Sequence, residues 1–450
     1  MAQTKFFSRE EARAIADRVL GFATAEQARV NIWSGAEGNT RFAVNQISTA
    51  GDIANAQLVV TSSFGRRVAS ATSNRFDDES LRRVVETSER LARLVPEDPE
   101  YLGELEAQQY PEARAFFEST AGLGPEARAR AVMEVTSRAR NRDLVSTGFL
   151  PYQAGSQAVA TSRGLFAYNQ TTQANFTTTV RTPDGTGSGW AGSGAHDWSQ
   201  VNTRELGERA IEKAERSRNP RAVEPGRWTV VLEPTAVANL VSLMMFSLAA
   251  RTADEGRSFF SRQGGGNRLG ERFLDERVSI YTDPSDPNLF STPFTSEGLG
   301  NRRTQWVENG TLQNLVYDRF WAQRQGKEAT GFPAGYYMAG GDATLEEMIA
   351  STQRGLLVTR FWYIRSVDPR TILFTGLTRD GTFLIENGRV TTAVKNLRWN
   401  ETPIFMLNNI EMMGRPTRVS ASESGDIGPA VMVPPLKARD FTFTSLSDAV

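Results

Sequence analysis

Histidine and cysteine, the side chains that most often hold a catalytic metal, are almost missing from this sequence. Its 450 residues contain one histidine, His196, and no cysteine. A zinc ion in a hydrolase takes its ligands from His, Cys and carboxylates, usually with at least two imidazoles or thiolates among them. The composition therefore excludes thiolate catalysis, disulfides and cysteine-based metal sites, and it argues against a zinc centre built by this chain alone.

The single histidine stands in a setting that could serve a serine hydrolase. Asp197 follows it and Ser193 precedes it, and such catalysis needs a base beside the nucleophile and an acid that orients the base. However, no Gly-x-Ser-x-Gly elbow surrounds Ser193, and residues 183–198 are rich in Gly and Ser. We interpret His196 as a loop residue, and we keep a hydrolase that uses His196 as its base as an alternative.

Length and charge restrict the classes of partner. A chain of 450 residues predicts two domains. The 51 basic and 52 acidic residues are interspersed, which predicts neither a nucleic-acid nor a membrane partner. Residues 1–10 lack the pattern of a secretory signal, and the longest apolar run, Leu240–Ala250, is too short to span a bilayer. We expect a soluble, cytoplasmic protein.

Patterns of helix and strand alternate in the first half of the chain. Ser8–Ala23 begins with a capping serine and predicts a helix. Four segments with a period of two predict an antiparallel meander: Ala28–Ser34, Thr40–Ser48, Gln57–Ser63 and Arg66–Ser73. Phe166–Arg181 predicts a long strand with a solvated polar face. Amphipathic patterns predict three further helices, over Asp77–Leu94, Pro125–Arg140 and Thr203–Arg218.

Prolines between Arg218 and Arg227 forbid helix continuation and predict a boundary between domains 1–222 and 223–450. After an apolar helix over Pro234–Ala250, the second half is predicted to be mainly strands, among them Leu312–Tyr317, Thr371–Thr378 and Thr382–Glu386. Three dipeptides predict hairpin turns: Asn309-Gly310, Asp380-Gly381 and Asn387-Gly388. Arg415–Pro429, rich in Ser, Gly and Asp, predicts either a loop near a functional cleft or a disordered connector.

The predicted fold class is α+β, with an N-terminal antiparallel sheet covered by helices and a C-terminal, mainly antiparallel, curved or barrel-like β domain. Segments in both halves, taken in order, resemble the TldD/PmbA family, which includes peptide-degrading metalloproteases. They are Thr40–Gln46, Gly65–Asn74, Asp77–Pro99, Gly355–Arg360, Gly381–Val394 and Pro435–Phe441. The resemblance covers most of the chain and implies this family's two-domain arrangement.

Catalytic members of that family carry His-Glu-x-x-x-His on a helix early in the C-terminal domain, and a cysteine ligand near the C-terminus. The imidazoles hold the metal, and the glutamate is placed to activate its bound water. In this sequence Pro234 and Asn239 stand at the two histidine positions and Thr235 at the glutamate position, and residues 425–431 contain no cysteine. The resemblance therefore implies a PmbA-like (TldE-type) subunit that binds no cofactor, with zinc in a TldD-like partner.

In such a heterodimer, the resemblance implies an extended peptide in a channel enclosed by both chains and held through backbone hydrogen bonds. The candidate channel residues are Arg257, Arg302, Arg303, Tyr336, Tyr337 and Trp362. Burial in the core or at the subunit interface is the competing interpretation of the aromatic residues, and surface ion pairs are that of the arginines. The alternative function is a stand-alone, homo-oligomeric peptide-binding protein without protease activity.

Overall fold

The structure is a computed structural model that describes residues 6–290, 292–420, 422–428 and 430–447. In this part of the chain no helix is both long and apolar enough to cross a membrane. The helices are α1 (Arg9–Phe22), α2 (Asp78–Leu94), α3 (Glu118–Ala121), α4 (Pro125–Asn141), α5 (Thr203–Arg216), α6 (Pro234–Phe246), α7 (Ala250–Asp254), α8 (Arg319–Gln325), α9 (Leu345–Ala350) and α10 (Pro403–Asn408), with a 3₁₀ turn at Trp198–Gln200.

The strands of the first half form one six-stranded antiparallel sheet with the order β3-β2-β1-β4-β5-β6. These strands are β1 (Gln27–Ala43), β2 (Gln46–Phe64), β3 (Arg67–Ser73), β4 (Val145–Thr161), β5 (Phe166–Arg181) and β6 (Ser188–Ala195). The strands of the second half are β7 (Gly226–Leu232), β8 (Ile280–Thr282), β9 (Thr304–Glu308), β10 (Thr311–Leu312), β11 (Tyr337–Met338), β12 (Arg354–Asp368), β13 (Leu373–Glu386), β14 (Arg389–Ala393), β15 (Leu397–Glu401), β16 (Ile410–Met413), β17 (Thr417–Ser420), β18 (Ala430–Val433) and β19 (Leu436–Leu446).

The predicted meander is correct in kind, but its strands are longer than the hydrophobic pattern indicated. β1 pairs with β2 from Gln27 opposite Ser63 to Ala43 opposite Gln46. The turn between them lies at Val44 and Asn45, inside the predicted strand Thr40–Ser48. Backbone pairing continues through residues 35–39 although apolar and polar residue types do not alternate there, because ladder hydrogen bonds do not require apolar side chains. The pattern therefore underestimated the strand lengths.

Helices cover one face of this sheet in two groups. α1 and α2 pack on β1, β2 and β4, where Ile32 and Leu58 are buried among Val19 and Leu81. α4 and α5 pack on the other half of the sheet. The predicted capping serine is confirmed, because Ser8 accepts from the Glu11 N–H and the Glu11 carboxylate accepts from the Ser8 N–H. This reciprocal capping satisfies two amides that the first turn leaves without helical partners.

The polar face of β5 is buried, which corrects the prediction that it is solvated. Gln173 and Asn175 are 1% and 0% exposed. Asn175 donates to the carbonyl oxygen of Asp426 at 2.6 Å, and Gln173 donates to that of Gly428. Residues from the far end of the chain therefore cover this face, and no pattern within β5 could show that.

The second half contains a closed five-stranded barrel, which confirms the predicted fold class. Its strands follow the order β12-β7-β19-β15-β13, and the pairing of β12 with β13 closes the ring. A second, six-stranded sheet has the order β10-β9-β8-β11-β18-β17. The six-stranded N-terminal sheet is built from residues 27–195 and the barrel from residues 226–446. The predicted boundary at 222/223 stays a prediction.

Three local predictions for the second half need correction. Thr371–Thr378 and Thr382–Glu386 belong to one strand, β13, because Asp380-Gly381 forms a bulge opposite β12 and not a hairpin turn. Of Leu312–Tyr317, Leu312 alone lies in a strand. Arg415–Pro429 contains strand β17, and residues 421 and 429 lie outside the described part. The hairpin turns at Asn309-Gly310 and Asn387-Gly388 are confirmed.

Candidate functional site

Helix α6 carries the positions that the resemblance assigns to metal ligands. Pro234 is the first residue of this helix. Proline has no N–H, but no helical hydrogen bond is lost at this position, because the first N–H groups of a helix have no carbonyl partner within it. Beyond this end the helix is apolar, and Val237, Leu240 and Val241 are fully buried in the main core of the second half. Burial of these side chains holds the helix against the barrel. The helix is therefore a structural part of the core.

None of the three side chains at the motif positions suits zinc. Pro234 has no side-chain donor atom, and a threonine hydroxyl such as that of Thr235 is not among the usual zinc ligands. The amide oxygen of Asn239 accepts a hydrogen bond from the Phe361 N–H at 3.2 Å. Over the described residues, no group of three or more His, Cys, Asp or Glu could hold a metal ion. The residues present here do not fit a zinc site.

A buried ion pair lies beside the start of α6. The Nζ atom of Lys213, on α5, is 2.7 Å from a carboxylate oxygen of Glu233, and the two side chains are 13% and 15% exposed. Burial lowers the pKa of Lys213, and the neighbouring Glu233 opposes that shift. Both residues line a cleft of about 230 Å³ together with Thr235 and Arg418. The pair therefore connects the two halves of the chain at the start of the motif helix.

A second buried ion pair joins the halves at the bulge of β13. The Asp380 carboxylate accepts from the Arg360 guanidinium at 2.7 and 3.1 Å and from the Ser188 hydroxyl at 2.6 Å. Asp380 is 2% exposed, and its backbone is left-handed with φ of 54°. Bulges redirect side chains, and this one directs Asp380 toward β6 of the N-terminal sheet. Asp380 and Ser188 also line a cavity of about 600 Å³ between the two halves.

Two tryptophans enclose the Arg360 guanidinium. Its central carbon lies 4.7 Å from the ring centre of Trp190 and 4.9 Å from that of Trp362. Burial lowers the pKa of Arg360, with Asp380 opposing the shift. No sequence pattern marks this cluster. The one local signal is Asp380-Gly381, which indicates positive φ but does not distinguish a bulge from the hairpin turn predicted above.

The single histidine is buried and takes part in no hydrolase triad. The His196 Nδ1 lies 2.5 Å from the Thr172 carbonyl oxygen, and Nε2 lies 3.3 Å from that of Leu289. The Asp197 carboxylate accepts from the Ser119 hydroxyl and the Ser199 N–H. The ring and the carboxylate are therefore committed to separate partners. The geometry gives no support to the hydrolase alternative. His196 lies in the loop that directly follows β6, as interpreted from the sequence, and its side chain is buried there.

We expect His196 to make stability depend on pH near neutrality. Burial lowers its pKa below the usual value of 6.5, so the unfolded chain binds the extra proton first as pH falls through 6.5. The stability supplied by the neutral ring is present above this value and is lost below it. The urea midpoint of His196→Asn should therefore lie further below that of the wild type at pH 7 than at pH 5.5. An equal difference at both values would contradict this.

The three predicted aromatic channel residues lie in different settings. Tyr336 is fully buried, its hydroxyl is 2.9 Å from that of Ser242, and burial raises its pKa. Tyr337 is half-buried and stacks on Tyr281 with ring centres 5.1 Å apart. Trp362 is half-buried against Arg360. The competing core interpretation therefore describes Tyr336, while Tyr337 and Trp362 keep exposed ring surface.

The three predicted arginines are exposed and form ion pairs. Arg257 pairs with Glu255 and Arg302 with Glu328. Arg303 lies 3.8 Å from Asp283, and its guanidinium covers the ring of Tyr281 at 4.6 Å. Arg303 therefore shares a neighbour with Tyr337, whereas the other candidates are dispersed. A role for the six residues in a peptide channel stays a prediction.

Comparison of the sequence with protein families gives two matches. Residues 110–218 match the PmbA/TldA metallopeptidase central domain. Residues 225–445 match the PmbA/TldA metallopeptidase C-terminal domain, which includes α6 and the barrel. The two matches follow one another along the chain and together span most of it.

Individual proteins show the same relationship. An uncharacterized protein of Methanocaldococcus jannaschii is 32% identical over 132 residues, which are 29% of this chain and 30% of that protein. A metalloprotease of Methanothermobacter thermautotrophicus is 25% identical over 251 residues, 51% and 52% of the two chains. The matched part thus spans about half or less of these relatives. The crystal structure of TldE from Thermococcus kodakarensis superposes with a TM-score of 0.83 at 18% identity, covering 96% of this chain and 100% of that one, and shows the same fold.

Proposed function

Because the chain belongs to the PmbA/TldD metallopeptidase family, we propose that it is the non-catalytic, metal-free subunit of a heterodimeric peptidase. In this proposal a TldD-type partner binds the zinc ion, and both chains enclose an unfolded or ribosomally made peptide. The observation that carries the proposal is the chemistry of α6. Its motif positions hold Pro234, Thr235 and Asn239, and the amide oxygen of Asn239 is already bound to the Phe361 N–H.

The remaining histidine gives no substitute for the missing ligands. His196 belongs to the N-terminal half and is 5% exposed. Its ring stacks on Phe290 with centres 5.4 Å apart, and carbonyl oxygens face both of its nitrogens. Zinc needs lone pairs on several soft or borderline donors that converge on one point. This supports placing the metal in a partner chain.

A free strand edge supports the peptide-binding part of the proposal. β3 pairs with residues 58–64 of β2, so residues 46–57 have a strand partner on the β1 side alone among the described strands. This segment contains no Lys, Arg or Pro, and its one charged residue, Asp52, pairs with Arg128 at 2.8 Å. Natural edges are usually protected by charge or proline. An unprotected edge suits an added strand held through its backbone.

A groove adjoins this edge on the sheet. Its volume is about 590 Å³, and its lining includes one carboxylate, Glu37, and the neutral amide side chains of Asn55, Gln57, Gln153 and Gln157. Trp33 and Ile53 also line it and are 38% and 70% exposed. Amide groups both donate and accept hydrogen bonds, so they can pair with peptide groups of any sequence. The groove therefore supports binding of an extended peptide with little sequence preference.

The test of the proposed function is reconstitution. The chain is co-expressed with a TldD-type subunit carrying an intact His-Glu-x-x-x-His motif, and zinc content and peptide cleavage are measured for each chain and for the mixture. We expect about one zinc per heterodimer, cleavage by the mixture and no zinc in this chain alone. Stoichiometric zinc and cleavage from this chain alone would refute the proposal. A stable homodimer that ignores the partner and still binds peptide would favour the stand-alone peptide-binding alternative.

A charge on the free edge should weaken peptide binding by the heterodimer. Ile53→Lys places an ammonium on the edge and beside the groove, which opposes addition of a further strand. We expect peptide affinity to fall about fivefold, equivalent to the loss of one favourable cross-strand pair. Fluorescence anisotropy of a labelled unfolded peptide measures the affinity. Leu94→Lys, at a helix position that is 76% exposed, is the matched control and should bind as the wild type does.

A further inference from the structure

A small apolar cavity lies on the side of α6 that carries Asn239. Its volume is about 250 Å³, and apolar side chains from α6 and β12, including Leu243, Met245 and Ile364, form much of its wall. Pockets for drug-sized ligands are usually about 300–1,000 Å³. This cavity therefore has room for one large side chain rather than for a whole cofactor.

Two exposed phenylalanines adjoin this cavity. Phe246 lines it, and Phe332 precedes the lining residue Pro333. Their rings stack with centres 5.4 Å apart, yet Phe246 and Phe332 are 56% and 51% exposed. Neighbouring exposed aromatic rings beside an apolar cavity are typical of binding sites. These rings therefore present apolar surface beside the cavity that a bound side chain would cover.

Some polar groups of the cavity are already hydrogen-bonded within the protein, and others are available to bind a ligand. The hydroxyls of Ser242 and Tyr336 bond to each other at 2.9 Å, and the Asn239 amide oxygen is bound to the Phe361 N–H. Glu423 is the one charged residue among the described residues that line the cavity. Its carboxylate forms no ion pair within 4.0 Å with a cation in the described part of the chain, and the buried Arg360 attracts it only from a longer distance. A cation is therefore the charge-complementary group for this cavity.

The backbone beside the cavity holds Glu423 in place. Its two carboxylate oxygens accept hydrogen bonds from the Tyr363 N–H at 3.2 Å and the Ile364 N–H at 2.9 Å. Tyr363 has φ of 54°, a conformation that is rare for a bulky residue and is often found at binding sites. Each carboxylate oxygen keeps a further lone pair for another donor. The negative charge is thus held at the cavity wall with accepting capacity to spare.

We propose that this cavity binds the first residue of a peptide, with a large apolar side chain in the cavity and the α-ammonium group on Glu423. The proposal rests on the proposed peptide-binding function and adds a preference for free amino termini. An apolar side chain from the interior of a peptide would use the cavity but not the carboxylate. The contribution of the ammonium group to affinity therefore distinguishes a peptide's first residue from an interior residue in the cavity.

Calorimetric titration of the purified chain alone tests the proposal, with phenylalanine amide, N-acetylphenylalanine amide and alanine amide as probes. We expect phenylalanine amide to bind about tenfold more tightly than its acetylated form, because one charge-assisted hydrogen bond in a partly exposed site is worth about 1.4 kcal/mol. Alanine amide should bind more weakly than phenylalanine amide. Glu423→Gln should weaken phenylalanine amide to the level of the acetylated probe and leave the latter unchanged.

A second variant keeps the test decisive. Ala334 lines the cavity, so Ala334→Phe should fill it and abolish binding of both phenylalanine probes. Glu276→Gln, at an exposed carboxylate paired with Arg272, is the control and should bind all probes as the wild type does. Equal affinity for the free and acetylated probes, or an equal loss of both in Glu423→Gln, would overturn the ammonium assignment. These titrations need no partner chain, so their outcome is independent of heterodimer formation and zinc.

Discussion

Replacing Asp380 with asparagine is expected to lower the free energy of unfolding by about 3 kcal/mol. The carboxylate accepts from Arg360 and Ser188 at 2.6–3.1 Å and is 2% exposed. Asparagine tolerates the left-handed backbone at this position, so the substitution isolates the loss of charge. The Arg360 guanidinium would stay buried between Trp190 and Trp362 without the carboxylate that it is hydrogen-bonded to. Chemical unfolding followed by tryptophan fluorescence measures the effect.

Replacing both partners shows whether Asp380→Asn destabilises the protein through loss of the Arg360–Asp380 attraction or through the unpaired charge that Arg360 then carries. In Arg360→Met/Asp380→Asn the buried Arg360 cation is removed together with its partner, and methionine fills most of the same space between the tryptophans. Arg379, whose guanidinium lies 3.8 Å from Asp380, loses this contact in the single and the double variant alike. We expect the double variant to be more stable than Asp380→Asn by at least about 1 kcal/mol, because the cost of removing one partner comes mainly from the charge left behind. A double variant less stable than the single one would contradict this. Arg415→Met, at an exposed pair with Asp342, should have little effect.

Replacing Phe361 with alanine is expected to cost about 3 to 5 kcal/mol of stability and to loosen the motif helix. Phe361 is 1% exposed, and its ring centre lies 4.9 Å from that of Trp399 and 5.4 Å from that of Phe441. Its N–H also holds the amide of Asn239 on α6. Removal of the ring leaves a cavity beside Trp399 and Phe441, in the core that the barrel strands share with α6. The closely packed neighbours cannot fill this cavity fully.

Two comparisons check the interpretation of Phe361→Ala. Phe361→Leu keeps most of the buried apolar volume and should cost no more than about 1.5 kcal/mol. Leu94→Ala removes a side chain that is 76% exposed and should change the unfolding midpoint little. The backbone amides of α6 should exchange hydrogen faster in Phe361→Ala than in the wild type under conditions in which both proteins remain folded. Unchanged protection of α6, or equal losses in the alanine and leucine variants, would argue against support of the helix by this ring.

Local chemistry made much of the fold predictable. Helix α1 begins where Ser8 and Glu11 form a capping box, and the Asn387-Gly388 turn joins β13 to β14. These features depend on residues close together in the sequence. Asp380-Gly381 has the same signal as a hairpin, but its strand continues because β12 pairs on both sides of the bulge. The dipeptide requires positive φ, and only the pairing partner decides between a turn and a bulge.

The candidate site likewise combines features that the sequence predicts with features that only the fold determines. The absence of zinc ligands on α6 follows from the identities of Pro234, Thr235 and Asn239, together with the count of one histidine and no cysteine. The pairs of Lys213 with Glu233 and of Arg360 with Asp380, in contrast, join residues 20 positions apart in sequence, with no local pattern that marks them as partners. The buried polar face of β5 was missed for a related reason, because residues near 426 cover it.

The sequence by itself determined which donor atoms this protein can offer, because composition sets the supply of imidazoles and thiolates wherever the chain places them. It also determined the apolar helix, a first half that mixes helices with an antiparallel sheet, and a second half that is mainly β. The resemblance to the TldD/PmbA family was visible in the sequence too, and the family matches confirm it. Tertiary structure alone decided that His196 is enclosed, that Asp380 faces Ser188, and that Glu423 borders an apolar cavity. Those outcomes depend on distances between residues far apart in the chain, and only the closed barrel and the packed sheet set them.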